Sequence, residues 1–391
     1  MNNHPTQATT STRSRRLADI SRKARIIRSV LALVLLFTSL LASAQTSTTA
    51  ATPQVQLGDL AINVAAAENR SVSFTNKASA YYYTQTHRND HPEHAWFRGL
   101  NIAGRRIFND HQLLLDGVVL DPATALTTVR PDALVFYYPG AATETLRLFD
   151  GRDLLQVSVH AATGQTDLRL SCDRLKAQGR SNGADWYLAS EDGQAVVDHV
   201  AVVRNDHGFL IAVGPSRDAA RLLLAEADTH LASWQDQRVA RLESLVNGKH
   251  ALDTDDARLT EALRWITLTT DELVTKQRGD GIYAGLPWFN EYWGRDSFIS
   301  LPGALLVTGQ FDTARAVLSS FAEFQQMDPA SEFFGRVPNI VKPGSIDYHT
   351  TDGTPRFIVA LRDYVRYSGD QSLVAELYPN IVASIDGALA H

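Results

Sequence analysis

Ala195-Val-Val-Asp-His-Val-Ala-Val-Val203 alternates with period two and is rich in β-branched side chains. Shortly after it, Leu222, Leu223, Ala225 and Ala227 take up helical spacing. The texture of the chain changes between these stretches, near residue 215. Working back from the change, runs of the first kind recur as Ser79-Ala-Tyr-Tyr-Tyr-Thr84, Leu113-Leu-Leu-Asp-Gly-Val-Val-Leu120, Leu134-Val-Phe-Tyr-Tyr138 and Leu154-Leu-Gln-Val-Ser-Val159. Turn signals separate them at Pro139-Gly140, Asp150-Gly151, Asn182-Gly183 and Asp192-Gly193. Short strands punctuated this way, with no long helix among them, predict an antiparallel β-sandwich over 56–214 and disfavour a parallel βαβ sheet.

Working forward, 215–250 reads as a linker helix or helix pair ending near Val246. Leu259, Leu263, Ile266, Thr270 and Leu273 then repeat at three-to-four spacing behind Asp253 or Thr254 as cap. A further helix carries Ala314, Val317, Leu318 and Phe321. Another carries Phe357, Leu361 and Tyr364 and stops at Gly369. The last starts at Pro379, a favoured first helical position, with Ile381, Ile385, Ala388 and Leu389 on one side. Helices are thus expected near 269, 303, 318, 361 and 385, and no strand pattern follows residue 250.

The ends and the charge balance set the class. The chain has 391 residues, 44% hydrophobic and 20% charged, which fits a two-domain globular protein and excludes collagen-like or disordered classes. Residues 1–44 hold seven basic side chains and one acid, out of totals of 37 and 43, so the rest is acidic. The basic stretch meets an apolar run, Val30 to Leu41, followed by Ala42-Ser43-Ala44. This is the pattern of a signal peptide, and the run is shorter than the roughly 20 residues of a membrane-spanning helix. Residues 45–55 read as a flexible leader. The expectation is therefore a periplasmic or secreted protein, free of the membrane once cleaved. An acidic body without a basic strip excludes nucleic acid as partner. The lone cysteine, Cys172, excludes a disulfide framework and reads as a small core residue in a strand.

The chemistry is concentrated in Gly285-Leu-Pro-Trp-Phe-Asn-Glu-Tyr-Trp-Gly-Arg-Asp-Ser-Phe298, which sets Trp288, Phe289, Tyr292 and Trp293 beside Glu291, Arg295 and Asp296. Sugar binding needs aromatic faces for the apolar side of the ring and charged groups for its hydroxyls. The same residues also suit an aromatic core plug with a surface Arg–Asp pair. A second polar loop, Ser345-Ile-Asp-Tyr-His-Thr-Thr-Asp352, offers Asp347, Tyr348 and Asp352. Asp352 either faces the first loop or caps the next helix. His87, His91 and His94 have His-x3-His-x2-His spacing, read as a polar hairpin loop and not as a metal site. No phosphate loop, zinc-protease motif or nucleophile elbow is present, and no cofactor is implied.

The run Pro287 to Gly303 resembles the signature of bacterial glycogen debranching enzymes. So do Ala314 to Ala322, Val337-Pro-Asn339, Asp347-Tyr-His-Thr-Thr-Asp352 and Tyr364-x-x-Tyr-Ser-Gly-Asp370. The resemblance implies an amylo-1,6-glucosidase domain, an (α/α)6 toroid behind a β-rich domain, with 251–391 as its first part. It implies an α-glucan or other oligosaccharide as partner and α-1,6 branch hydrolysis as the reaction. It casts Trp293, Arg295 and Asp296 as the sugar grip, with Tyr348 and Asp352 lining the same pocket; the chemistry of the two loops adds Trp288 and Asp347 as candidate substrate-binding residues. Two departures stand out: Gly353 where the family prefers Ala, and Arg356 where it is usually aromatic. The family's acid and base come from later loops, so no catalytic residue is expected before His391, and the chain reads as part of a longer enzyme. With the toroid open, the apolar faces of Phe321, Leu361 and Ile385 are expected to lack cover. Asp296 is expected to be held ionised by Arg295. The rival readings are another toroid glycosidase, trehalase-like or acting on small glycosides, and a non-catalytic glycan-binding protein.

Overall fold

The computed structural model describes residues 54–172, 174–177, 184–193, 195–248 and 251–390. The expected signal peptide, most of the leader and the Asn182-Gly183 turn lie outside the described residues. Among those described, the order is β first and α second, with the change at Gly214.

The largest sheet has nine antiparallel strands among the described residues. Its middle runs, in spatial order, through Ala133–Tyr138, Ala142–Phe149, Arg152–Ala161, Gly208–Gly214 and Val196–Asn205. A four-stranded sheet holds Ser71–Thr75, Ala80–Gln85, Gly99–Ile102 and Arg105–Phe108. Leu134, Leu146, Leu155 and Ile211 of the first share one core with Tyr82, Leu100, Ile107 and Phe108 of the second. Strand side chains alternate between faces, so Leu154, Leu210 and Ala212 lie on the opposite side from Leu155 and Ile211. That side is covered by helix α1, Arg217–Val246, through Ala227, Leu231 and Trp234. The segment expected as a linker, one helix or two, is a single helix with one face buried against the sheet. Ser216 caps it, its Oγ accepting from the Ala219 N–H at 3.1 Å.

Six further helices follow among the described residues: α2 Ala257–Leu273, α3 Gly294–Leu301, α4 Phe311–Glu323, α5 Gly353–Ser368, α6 Ser372–Glu376 and α7 Tyr378–Ala390. Helix α3 continues into one π-helical turn, Pro302–Leu306. All five expected helical positions are occupied. The cap of α2 differs from expectation. Asp256 accepts from the Arg258 and Leu259 N–H groups, while Asp253 is held by Arg264 at 2.6 Å and Thr254 bonds Thr260 and the Asp256 carbonyl. Helix α5 ends as read, with Gly369 at φ 74, the left-handed conformation that glycine adopts without strain.

The expectation of no strands after 250 is corrected. Val274–Thr275, Gly281–Gly285, Phe289–Trp293, Ile340–Val341 and Ile346–Asp347 form a small antiparallel sheet. Each is two to five residues long, too short for a period to show. The expected exposure of the helical faces is corrected as well. Phe321 and Leu361 are buried in a core with Phe298 and Phe357, whose rings meet edge to face, and only Ile385 of the three is half exposed.

Charges join the β and α parts within the single unit Val55–His391. Buried Asp271 of α2 binds Lys77 Nζ at 3.0 Å and Arg241 Nη1 at 2.6 Å. Arg241 also binds Asp150 at 2.6 Å, and Arg238 binds Asp150 and, at 2.7 Å, Glu272. No helix among the described residues is long and apolar enough to cross a membrane.

Candidate functional site

The site begins with a hairpin. Along Phe289–Trp293, Asn290 and Tyr292 are buried while Phe289, Glu291 and Trp293 lie on the more open face. Tyr292 anchors the strand. Its hydroxyl meets Thr275 Oγ1 at 2.9 Å and accepts the Gln277 N–H at 2.6 Å, and burial pushes its pKa up to about 12. Gly281 on the facing strand leaves room for that ring, since a Cβ there would lie 2.3 Å from it.

Gly294 then opens α3 for a steric reason. A Cβ at this position would meet the Pro338 carbonyl oxygen at 2.3 Å, while its N–H donates to the Asn339 carbonyl at 2.8 Å. The Val337-Pro-Asn339 segment therefore sets the direction in which the helix leaves the hairpin. Arg295 and Asp296 fall in the exposed first turn.

Arg295 turns to the second loop and not to its neighbour Asp296. Its Nη1 lies 3.7 Å from Asp352 Oδ1, and Arg356 Nε lies 4.0 Å from Asp352 Oδ2. Thr350 Oγ1 donates to the same carboxylate at 3.1 Å. Asp352 thus sits at the cap position of α5 without capping it, because its side chain faces Arg295, Arg356 and Thr350. The expected Arg295–Asp296 pair is corrected accordingly. Asp296 makes no ion pair or hydrogen bond among the described residues, which leaves its carboxylate open to accept.

The other expected residues divide. Asp347 and Tyr348 hold their own loop. The Asp347 carboxylate accepts from His349 and from Asn339 Nδ2 at 3.1 Å, and the His349 bond leads in holding it below the usual carboxylate range despite burial. The Tyr348 hydroxyl donates to the Phe324 carbonyl at 2.6 Å, and burial raises its pKa. Trp293 meets Phe289 edge to face at 5.9 Å, and its buried Nε1 has no partner among the described residues. Trp288 is 48% exposed at the far end of the strand. Glu291 faces Lys342 Nζ at 3.6 Å.

Two contributors were not among the expected site residues. Arg356 was legible as an i,i+4 partner of Asp352. His94 was not, because it lies 194 positions before Trp288, yet its ring stacks on that indole at 4.9 Å. His87 is buried away from the other histidines, with Nδ1 at 3.0 Å from Thr86 Oγ1. Ligand atoms of His91, Glu93 and His94 do lie within 4.8 Å of one another. The rings of His91 and His94, however, stack at 3.9 Å with 12° between their planes. In-plane lone pairs of stacked rings run parallel and do not converge on one ion.

Residues 256–390 match the family model described as amylo-alpha-1,6-glucosidase. The match spans the hairpin, α3 and the Asp352 loop. A glycogen debranching enzyme of Saccharomyces cerevisiae is 32% identical over 123 residues, which are 30% of this chain and 8% of the yeast protein. The chain thus corresponds to a small part of that relative.

Proposed function

We propose that this protein is a glycoside hydrolase of the glycogen debranching type, acting on α-glucan at α-1,6 branch points. One observation carries the reading. Arg295 pairs with Asp352 of the second motif loop, both within the family match, and leaves Asp296 unpartnered among the described residues, in a segment that also exposes Trp288 and Phe289. Side chains of this kind suit a sugar, with Asp296 accepting hydroxyls and Trp293 offering a flat face. In this reading Trp288, Trp293, Arg295, Asp296 and Asp352 bind substrate, while Asp347 and Tyr348 shape the loop. Helices α2–α7 are the first part of an (α/α)6 toroid, and the sheets of 56–214 are a β-sandwich in front of it.

Hydrolysis needs two carboxyl groups across the scissile bond. Among the described residues of the cleft only Asp296 is unpartnered, which favours an acid and base supplied from outside this set. The same observation favours a second reading, a glycan-binding protein without turnover. Asp296→Asn is expected to weaken maltohexaose binding by about 1–3 kcal/mol, the worth of a charged hydrogen bond. Titration calorimetry measures it, and unchanged affinity in a folded variant rejects the assignment. Glucose release from branched glucan separates the two readings. Export is proposed from the 1–44 pattern. Mass spectrometry of the exported protein is expected to find Gln45 first, and intact Met1 in a cytoplasmic soluble fraction would overturn it.

A further inference from the structure

Strand Ala80–Gln85 carries three consecutive tyrosines, and its pleat sends them two ways. Tyr82 enters the β core, its hydroxyl 2.7 Å from His111 Nδ1. Tyr81 and Tyr83 leave by the other face, toward the candidate cleft. The Tyr81 hydroxyl accepts from Asn290 Nδ2 at 3.2 Å, within the motif hairpin. The Tyr83 hydroxyl lies 3.0 Å from Ser71 Oγ and 2.9 Å from His94 Nδ1. His94 in turn lies between two rings, His91 at 3.9 Å and Trp288 at 4.9 Å. A chain of contacts therefore runs from a buried strand of the β part to the half-exposed indole of Trp288.

We infer that His94 is a positioning residue that fixes Trp288 as a platform for an outer sugar unit, so that the β part selects longer glucan chains over short ones. The inference rests on the glucan reading and deepens it. Three features carry it. An indole half exposed to water and unsupported would rotate freely, and ordering it would cost affinity on each binding event. Here one indole face is taken by a ring that is itself fixed at Nδ1 by Tyr83. Backed on that face, Trp288 keeps the other for a ligand. The supporting residue also sits outside the matched family segment, on a loop that a helical domain by itself lacks. Burial, with His91 next, lowers the His94 pKa, which is consistent with a neutral stacked imidazole.

The test compares maltose with maltohexaose on the full chain, using His94→Ala, His94→Phe, Trp288→Ala and Asp296→Asn. His94→Ala is expected to weaken maltohexaose about three- to tenfold, the range of one aromatic pair, and to leave maltose unchanged. His94→Phe restores a flat ring and is expected to recover most of the loss, which a merely destabilised loop would not do. The fluorescence change on adding maltohexaose is expected to shrink in Trp288→Ala to the part that Trp293 contributes. If Trp288→Ala weakens maltohexaose and both His94 variants bind as the parent does, the positioning role is wrong. If Trp288→Ala has no effect while Asp296→Asn does, the platform is overturned and the glucan reading stands. If neither has an effect, both fail together.

Discussion

Gly294 and Gly353 show how differently two glycines at the head of a helix are constrained. At Gly294 the obstacle is the Pro338 carbonyl, 2.3 Å from where an alanine methyl would stand, and backbone cannot step aside. Gly294→Ala is therefore expected to destabilise the fold by about 1–3 kcal/mol, the cost of overpacking, read from the urea midpoint. At Gly353 the obstacle is Thr350 Cγ2 at 2.7 Å, a side chain that can rotate. Gly353→Ala is expected to shift stability by less than about 1 kcal/mol. On the proposed glucan reading its larger effect is expected on sugar binding, because the rotation takes Thr350 Oγ1 away from Asp352. The Trp-Gly-Arg-Asp motif was legible as chemistry, and the reason for its glycine was not, since Pro338 is distant in sequence.

Helices α1 and α2 meet the β part through ionised groups, and Asp271 is at the centre. Burial alone would raise its pKa, but Lys77 and Arg241 outweigh burial and hold it below the usual range. A depressed carboxylate stabilises the fold above its unfolded value of about 3.9 and loses that contribution as pH falls through the folded value. The protein is thus expected to lose thermal stability steeply below about pH 4, with a shallower acid slope in Asp271→Asn. At neutral pH, Asp271→Ala is expected to cost about 3 kcal/mol, because it leaves the half-buried Lys77 without its carboxylate, while Arg241 keeps Asp150. A melting series against pH checks both. Element identity was largely readable wherever an element was long, as in α1 or Val196–Asn205. The two- to five-residue strands around the cleft were not, because a period needs length. The start of α2 was ambiguous because Asp253, Thr254, Asp255 and Asp256 all suit a cap, and only tertiary partners at Arg264 and Thr260 decide among them.

At the level of the whole molecule, the β and α parts are expected to unfold together on this architecture. Helix α1 covers one face of the large sheet, and its cationic side chains reach both Asp150 and α2. Scanning calorimetry is expected to give one transition with matching calorimetric and van't Hoff enthalpies. Two resolved transitions would show that the junction is weaker than its contacts imply. The order of the parts was plain from the change in texture near 215. The contact between loop 87–97 and the motif hairpin had no local signature, since each side reads as an ordinary polar loop.

The tyrosine strand also bears on how such a protein diverges. Three adjacent codons answer to different demands: Tyr82 to the packing of the sheets, Tyr81 and Tyr83 to the rim of the cleft. Drift toward a new ligand would be free to rewrite the outer two only while the middle one stayed put. Grafting the helical segment onto a foreign β partner would break that arrangement, because the graft would arrive with its indole intact and nothing behind it.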